Sequence, residues 1–151
     1  MKLGFIGTGE ITKAVVIGVL GSKIKFQKIY LSKRNSKISA FLTKKSKKIQ
    51  IEKNNQDLIN KSDWVFLAVT PKVGNKIIKK LHFKRRQTIV SFISTIQLPK
   101  LKKLTKNRTN IVRAIPLPPI SLRKGPIPIF PPNKKVKRFF SNLGTVIEIN
   151  D

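Results

Sequence analysis

The sequence predicts an α/β fold in which helices cover both faces of a doubly wound, mostly parallel sheet. Short apolar runs alternate along the chain with amphipathic, helix-like runs, which is the order expected for βαβ units. Some apolar runs, such as residues 64–69, contain no polar residue, as is typical of strands that are buried on both faces. The chain of 151 residues is also long enough to bury the core of one domain.

Each element is predicted from its local pattern. Strands are predicted where apolar residues form short runs, at residues 2–6, 28–31, 49–51, 64–69, 88–93, 110–115 and 145–149. Helices are predicted where apolar residues recur every three or four positions, at residues 11–20, 36–46, 55–60, 71–81, 98–104 and 134–142. Gly21 supplies a stop signal after the first helix, Asn55 a cap for the third, and Pro71 a start for the fourth.

A proline-rich segment interrupts this alternation. Seven of the nine prolines lie between Pro116 and Pro132. Because proline has a fixed φ and no N–H group, we predict that this segment is not helical and makes a poor central strand, with residues 127–130 as an extended edge segment. The sequence thus divides one domain, residues 1–151, into a core of βαβ units (1–115), the proline-rich segment (116–132) and a terminal helix and strand (133–151).

The composition is strongly basic, with 33 Lys and Arg residues against 6 acidic residues and a formal net charge of +27. The cations fall on the polar faces of the predicted helices, which favours solvated surfaces over a nucleic-acid platform. Such a platform would interleave aromatic residues with the cations for base stacking, whereas Tyr30 and Trp64 fall in strand-like runs. We therefore expect no specific nucleic-acid partner, although the charge will attract polyanions at low salt.

Several function classes are excluded by what the sequence lacks. It contains no cysteine, which rules out disulfides, zinc–thiolate sites and cysteine nucleophiles. Its one histidine, His82, leaves little scope for a histidine-rich metal site or a Ser-His-Asp triad, so no metal is predicted. The longest uncharged stretch, residues 87–99, is shorter than a membrane span, and the N-terminus lacks the layout of a secretory signal. We expect a cytoplasmic protein that does not associate with membranes.

The most informative motif is Gly7-Thr8-Gly9-Glu10-Ile11-Thr12, which follows a predicted strand and opens a predicted helix. In this context Gly7 permits a tight turn, and Gly9 lets the backbone approach a diphosphate at the positive end of the helix. Thr12 departs from the usual Gly or Ala at the third small position, so we expect slightly looser packing of the helix on the strand. The motif predicts a Rossmann-like dinucleotide-binding domain; the alternative is a purely structural glycine turn.

The second strand indicates which dinucleotide is bound. No acidic residue lies between Glu10 and Glu52, although NAD-binding domains usually place one about 20 residues after the glycines, on the ribose 2′-OH. The strand is followed instead by Ser32-Lys33-Arg34-Asn35, whose cations suit a 2′-phosphate. We therefore predict NADP(H) rather than NAD(H). The alternative is that Lys33 and Arg34 belong to the general excess of basic residues.

Five stretches resemble, in order and spacing, the pyrroline-5-carboxylate reductase family, and the similarity spans nearly the whole chain. These stretches are residues 4–9 (GFIGTG), 66–72 (FLAVTPK), 89–94 (IVSFIS), 112–116 (VRAIP) and 139–146 (FFSNLGTV). The resemblance is to the N-terminal dinucleotide-binding domain of that family. Family members continue into a helical C-terminal domain that forms the dimer, so we expect a truncated chain that is a homo-oligomer only if such a domain is present.

The resemblance also implies which residues contact the coenzyme, at the ends of successive strands. These are Ile6, Gly7, Thr8, Gly9, Glu10 and Ile11 around the diphosphate, Ser32 and Arg34 at the 2′-phosphate, Asn55 near the adenosine, and Ala68, Val69, Thr70, Pro71 and Ser94 beside the ribose and nicotinamide. Ligands of open α/β sheets bind outside the carboxyl ends of the strands, which agrees with these positions. Read alone, residues 68–71 would be an ordinary strand-to-helix turn.

The activity implied by the resemblance is hydride transfer from the nicotinamide to the C=N carbon of a small cyclic imine, which yields proline. Leu117-Pro118-Pro119 stands where the family has Asn-Thr-Pro, and this departure leaves open a substrate other than that of the family. No catalytic residue is predicted, because Glu10, Asp63 and His82 all have ordinary structural roles available. The alternatives are a non-catalytic dinucleotide-binding module or remnant and, less favoured, a basic nucleic-acid-binding protein on the same scaffold.

Overall fold

The computed structural model describes residues 1–33, 35–106 and 110–150. The strands are β1 (Lys2–Ile6), β2 (Lys28–Leu31), β3 (Ile49–Ile51), β4 (Trp64–Leu67), β5 (Thr88–Ser91), β6 (Ile111–Ala114), β7 (Pro126–Phe130) and β8 (Thr145–Glu148). The α-helices are α1 (Glu10–Leu20), α2 (Ser36–Thr43), α3 (Asn55–Lys61), α4 (Pro71–Ile77), α5 (Leu98–Leu104) and α6 (Lys134–Ser141). Two 3-10 helices span Ile78–Lys80 and Pro118–Leu122.

The described strands form one sheet with the order β3-β2-β1-β4-β5-β6-β7-β8. Neighbouring strands are parallel except for β6 and β7, which are antiparallel. The order reverses direction on either side of β1, and Leu3 of β1 lies opposite both Ile29 of β2 and Trp64 of β4. This crevice between β1 and β4 is the topological switch point at which open α/β sheets bind ligands. The predicted fold class is confirmed.

Side chains that alternate along the strands build one core on each face of the sheet. Trp64 and Phe66 of β4 point to the face covered by α1, α2 and α6, and Val65 and Leu67 point to the face covered by α3 and α5. On the first face the ring of Phe5 stacks on that of Phe66, with centroids 4.4 Å apart. Each buried aromatic side chain stabilises the fold by roughly 2–3 kcal/mol, so the central strands are held from both sides.

Most predicted elements are present, and the differences lie at their ends. β4 and β5 each end two residues earlier than predicted, at Leu67 and Ser91, because the chain leaves the sheet there to form the loops of its carboxyl edge. α2 ends at Thr43 rather than at residue 46. The cap of α3 is Asn54, whose side chain accepts a hydrogen bond from the N–H of Asp57, and not Asn55, which is the first helical residue.

The prediction that residues 127–130 form an edge segment is wrong, because β7 lies between β6 and β8. The carbonyl of Pro128 accepts a hydrogen bond from the N–H of Ile115 at 3.0 Å, and the carbonyl of Ile129 accepts one from Ile149, also at 3.0 Å, on the opposite side. The N–H and C=O of a strand residue point to the same side. The positions at which Pro126 and Pro128 lack an N–H donor therefore face β6 and not β8. The pairing with β6 is short there, so the sheet tolerates both prolines.

The prediction that the proline-rich segment contains no helix is also wrong. Pro118 and Pro119 occupy the first turn of a 3-10 helix, where the missing N–H groups would have no helical acceptor. This helix packs closely on α1, because a Cβ atom at Gly18 would lie 2.5 Å from the carbonyl oxygen of Ile120. The segment therefore forms a wall beside the start of α1.

The surface agrees with the sequence interpretation of the basic residues as solvated, and Tyr30 and Trp64 are both buried. None of the helices within the described ranges combines the length and the apolar character needed to cross a bilayer.

Candidate functional site

The loop between β1 and α1 has the geometry that its two glycines predict. Gly7 has a φ of +102°, which residues with a side chain rarely adopt, and a Cβ atom there would overlap the carbonyl group of Ala68. A Cβ atom at Gly9 would instead meet nothing within 4 Å. Gly7 is therefore required by the fold itself, whereas Gly9 leaves open space at the mouth of the crevice.

The loop is tied to the end of β2 through Ser32, which is buried. The N–H of Gly7 donates to the Oγ of Ser32 at 2.9 Å, and the Oγ1 of Thr8 donates to the carbonyl of Ser32 at 2.7 Å. These bonds join residues that are 25 and 24 positions apart in the sequence. They fix the loop against the strand that carries the residues predicted to select the coenzyme.

Thr12 does not loosen the packing as expected from the sequence. Its side chain is fully buried, and its hydroxyl donates to the carbonyl of Gly7 at 2.6 Å. A Gly or Ala residue would leave this carbonyl without that donor. The substitution therefore adds a hydrogen bond between α1 and the glycine loop.

The first turn of α1 suits an anion. Gly9 is the N-cap and supplies no side-chain cap, and the first hydrogen bond of the helix runs from the N–H of Lys13 to the carbonyl of Gly9 at 3.0 Å. The preceding N–H groups of the helix, on Glu10, Ile11 and Thr12, have no acceptor within it. They point toward the open space at Gly9, with the positive end of the helix dipole behind them. These residues fit the diphosphate of a dinucleotide.

Three clefts lie along the carboxyl edge of the sheet. Two of them share Gly7 of the glycine loop, and the lining of the third begins at Glu10, directly after that loop. The glycine-loop cleft encloses 640 Å³ and is lined by Gly7, Thr8, Gly9, Asn35, Ser36, Lys37, Ala68, Val69, Thr70 and Val73. The cationic cleft encloses 270 Å³ and is lined by Ile6, Gly7, Ser32, Lys33, Lys53, Asn54, Asn55, Val69 and Ile77. The proline cleft encloses 720 Å³ and is lined mainly by Glu10, Ile11, Ala14, Phe92, Ser94, Ile115, Pro116, Pro118 and Ser121.

Most of the residues predicted to contact the coenzyme line these clefts. The predicted residues in the glycine-loop cleft are Gly7, Thr8, Gly9, Ala68, Val69 and Thr70, those in the cationic cleft include Ile6, Ser32 and Asn55, and those in the proline cleft are Glu10, Ile11 and Ser94. Pro71 is the first residue of α4, next to the cap residue Thr70, whose Oγ1 accepts a hydrogen bond from the N–H of Val73 at 3.4 Å. Arg34 lies outside the described residues.

Sequence reasoning missed some of the residues that line the clefts. Two further cations lie at the carboxyl edge: Lys37, which is the second residue of α2, and Lys53, which follows β3. Both follow the carboxyl end of a strand, and this position was the signal that could have found them among 33 basic residues. Pro118 and Ser121 reach the proline cleft through the 3-10 helix, which the local sequence did not indicate.

Next to Lys53 in the sequence, the buried carboxylate of Glu52 forms an ion pair with the half-exposed Lys61. The carboxylate of Glu52, which is 5% exposed, accepts hydrogen bonds from Lys61 and Gln50, both at 2.7 Å. The hydrogen bond to Glu52 raises the pKa of Lys61 above its usual value. Because Glu52 directly precedes Lys53, the pair fixes the backbone from which Lys53 extends.

Arg113 of β6 holds the turn that carries Ser94. Its Nη2 donates to the carbonyl of Ser94 at 2.5 Å. Partial burial lowers the pKa of Arg113, but guanidinium groups start so high that the side chain stays charged at neutral pH. The bond thus fixes the loop after β5 at one side of the proline cleft.

The three titratable residues considered in the sequence analysis, Glu10, Asp63 and His82, lie at the surface or in contacts that support the fold. Glu10 is exposed at the start of α1, and Asp63 accepts a hydrogen bond from the backbone N–H of Lys2 at 2.8 Å. His82 is exposed, with its Nδ1 3.3 Å from the Nζ of Lys106. Across the described ranges, no group of three or more His, Cys, Asp or Glu residues could hold a metal ion.

Comparison with known proteins extends these observations. Residues 2–95 match the family described as NADP oxidoreductase, coenzyme F420-dependent. The chain is 27% identical over 129 residues to pyrroline-5-carboxylate reductase 3 of Danio rerio, which covers 83% of this chain and 44% of that protein. It is 25% identical over 158 residues to the pyrroline-5-carboxylate reductase of Synechocystis, covering 99% of this chain and 58% of that protein. The chain thus spans about half the length of the curated relatives it matches.

A solved structure shares the fold. The Plasmodium falciparum pyrroline carboxylate reductase, determined with NADP bound, superimposes with a TM-score of 0.81 at 21% identity over 99% of this chain and 58% of that one. The resemblance stated from the sequence is confirmed, and so is NADP(H) as the predicted cofactor, since the matching family is described as NADP oxidoreductases. With more than half of its residues matched, the chain belongs to the family described as NADP oxidoreductase, coenzyme F420-dependent.

Proposed function

We propose that residues 1–151 form one NADP(H)-binding domain of a reductase that transfers a hydride to the C=N carbon of a small cyclic imine, the reaction of pyrroline-5-carboxylate reductases. The observation that carries the proposal is the hydrogen-bonded junction between the glycine loop and Ser32, where Gly7 N–H and Ser32 Oγ are 2.9 Å apart. This junction brings a diphosphate site and the end of β2 together at the switch point of the sheet.

The glycine loop would hold the diphosphate. Gly9 leaves the space that the phosphates need, and the N–H groups of Glu10 and Ile11 are free to donate to their oxygens. Each negative charge at such a helix end is stabilised by roughly 0.3–1 kcal/mol. Thr12 keeps the loop in this conformation through its bond to the Gly7 carbonyl.

The cationic cleft would select the phosphorylated coenzyme. Ser32 already bonds to the glycine loop, so its main part is to position that loop. Lys33 and Lys53 line the cleft and supply positive charge. Arg34 follows directly in the sequence, and we assign to it the bidentate contact with a 2′-phosphate, on the residue type and its place after β2.

The proline cleft would receive the nicotinamide and the imine. When bound, the coenzyme supplies the hydride, and this chain supplies position and the exclusion of water. Phe92, Ile115 and Pro116 give the cleft an apolar wall, and Arg113 fixes the turn at Ser94. Leu117-Pro118-Pro119 offers no polar side chain, which supports a substrate recognised mainly by its shape at this wall.

Isothermal titration calorimetry with NADPH and NADH tests the binding part of the proposal. We expect NADPH to bind at least about tenfold more tightly than NADH, because one charge-assisted contact to phosphate contributes roughly 1.5–3 kcal/mol. Gly9→Ala is the matched variant, since it fills the open space without touching the fold; it should keep the melting temperature and lose affinity for both coenzymes. If well-folded protein gives no heat with either coenzyme, the proposal fails.

Oxidation of NADPH by pyrroline-5-carboxylate, followed by absorbance, tests the substrate part separately. A rate that depends on the imine and is lost in Gly9→Ala would support the proposal. Binding of NADPH without oxidation by this or related cyclic imines, even when the chain is complemented with the C-terminal domain of a pyrroline-5-carboxylate reductase, would refute the assigned substrate and leave a coenzyme-binding module.

A further inference from the structure

A fourth cavity lies at the amino edge of the sheet, the edge opposite the glycine loop. It encloses 300 Å³ between α6 and the loop that follows α1, and we call it the amino-edge pocket. The residues that define it are Lys23, Lys25, Trp64, Lys135, Arg138 and Phe139. Trp64 begins β4, whereas the loop after Leu67 at the other end of that strand faces the glycine loop, so the pocket and the proposed coenzyme site are separated by roughly the length of a strand, about 13 Å.

The floor of the pocket is aromatic and rigid. Trp64 and Phe139 are 5% and 4% exposed, and their ring centroids lie 4.9 Å apart. Phe139 also packs edge-on against Phe140, which is fully buried. Because so little of either ring is accessible, a nucleic-acid base could not stack on this floor.

The rim of the pocket carries four exposed cations: Lys23, Lys25, Lys135 and Arg138. Ion pairs between described residues join Lys61 to Glu52 and Lys137 to Glu148, and neither involves the rim. Asp63, which precedes Trp64, uses its carboxylate to accept the backbone N–H of Lys2. Lys135 and Arg138 are three residues apart on α6, a spacing at which like charges repel. Among the described residues, no ion pair neutralises these four cations, so the rim concentrates positive charge around a cavity.

We propose that the amino-edge pocket binds a small multivalent phosphate, of the size of a di- or triphosphate group. Phosphate oxygens match the fork of Arg138 and the ammonium groups of the lysines, and a multivalent anion would relieve the repulsion between them. The cavity has less than half the volume of the glycine-loop cleft, 300 against 640 Å³, so a compact anion suits it and a dinucleotide does not. The buried floor favours such an anion over single-stranded nucleic acid, whose bases need accessible rings.

The protein carries its own reporter for this site, because Trp64 is its one tryptophan. We would titrate inorganic tripolyphosphate into the chain at about 0.15 M salt, where charges farther than about 8 Å from the anion are largely screened, and follow Trp64 emission. The pocket variant replaces Lys23, Lys25, Lys135 and Arg138 with Gln. The matched control replaces Lys79, Lys80, Lys102 and Lys103, which are also exposed, so both variants lower the net charge of +27 by the same four charges.

We expect a saturable change in Trp64 emission whose midpoint rises about tenfold in the pocket variant and less than about threefold in the control. An equal rise in the two variants would show that only the general charge attracts the anion, and the proposal would be wrong. It would be equally wrong if the unmodified chain gave no saturable change. If circular dichroism shows that a fourfold variant is unfolded, two double variants give the same comparison with half as many substitutions. These are Lys135→Gln/Arg138→Gln at the pocket and Lys79→Gln/Lys80→Gln as the control.

Discussion

The cationic cleft and the proline cleft lie on opposite sides of the glycine loop and differ in what lines them. The first brings Lys33 and Lys53 to the ends of β2 and β3, where the ion pair of the buried Glu52 with the half-exposed Lys61 fixes the backbone. The second is walled by Phe92, Ile115 and prolines from the 3-10 helix. In the proposed function, the first cleft discriminates by charge, which salt weakens, and the apolar wall of the second discriminates by shape, which salt does not change.

Because the two clefts differ in their lining, the cationic part and the apolar part of the proposed dinucleotide site can be tested separately. A change in the charge-lined cleft should affect NADPH more than NADH, since the two coenzymes differ by a phosphate. A change in the apolar cleft should affect both coenzymes by the same factor. A change in the glycine loop, which holds the diphosphate of either coenzyme in the proposed site, should weaken the binding of both coenzymes alike.

The largest effect is expected for Gly7→Ala, which breaks the glycine loop that lies between the two clefts and leads into α1. The positive φ and the overlap with the Ala68 carbonyl should lower the free energy of unfolding by about 3 kcal/mol, with loss of binding of both coenzymes. Thermal unfolding measures this, and Gly9→Ala is the control, since its Cβ meets nothing and should change the stability by less than about 1 kcal/mol. Equal destabilisation of the two variants would contradict the described loop.

Arg34→Ala sharpens the comparison on the charged side. We expect the affinity for NADPH to fall about 30-fold and that for NADH by less than about twofold, because the lost contact is to the 2′-phosphate alone. Calorimetric titration with both coenzymes measures the ratio. Arg86→Ala removes the same charge from an exposed position outside the clefts and should change neither affinity. Equal weakening of both coenzymes by Arg34→Ala would remove the assignment.

Thr12→Val tests the connection between α1 and the loop. The variant keeps the shape of the side chain but leaves the Gly7 carbonyl without its hydroxyl donor, so we expect a loss of about 1–2 kcal/mol in the free energy of unfolding. Urea denaturation measures it, with Thr12→Ser as the control that retains the hydroxyl. A Val variant as stable as the original chain would mean that this bond adds nothing to the fold.

The smallest effect is expected for Phe92→Leu in the proline cleft. Its ring, 5.6 Å from that of Phe66, would be replaced by a smaller apolar group, and we expect both coenzymes to bind about threefold less tightly. The control is Phe83→Leu, in the core on the other face of the sheet. It should destabilise the fold about as much as Phe92→Leu does, without changing the affinity for either coenzyme. If Phe92→Leu weakened NADPH alone, the division between the two clefts would be wrong.

Much of the fold could be predicted because its signals are local. The unbroken apolar run at β4 indicated a strand buried on both faces, and the glycines of residues 7–9 indicated a loop followed by a helix. Element ends were less predictable, since Ala68 and Val69 continue the apolar pattern of β4 beyond its last residue, Leu67, and the N–H of Ala68 still donates to the carbonyl of Ile6. Where a strand leaves its sheet depends on its neighbours, which a local pattern does not contain.

Candidate site residues that belong to one local motif could be predicted from the sequence. Those that depend on contacts between distant segments were missed. Local sequence pointed to Gly7, Thr8 and Ser32, but not to the hydrogen bonds that join the loop to Ser32. It did not point to Lys53, which lines the same cleft as Gly7 and Ser32. The interior position of β7 depends on which side of the strand lacks its donors, and this follows from pairing rather than composition.

The sequence by itself determined the alternation of strands and helices, the glycine loop and the preference for NADP(H), because backbone freedom, apolar periodicity and the absence of an acidic residue after β2 are all local properties. Only the tertiary structure decided that Thr12 bonds to Gly7, that prolines wall one cleft while lysines line another, and that four cations surround a pocket at the far edge. These features arise between residues far apart in the chain, whose proximity is set by the packing of the whole sheet.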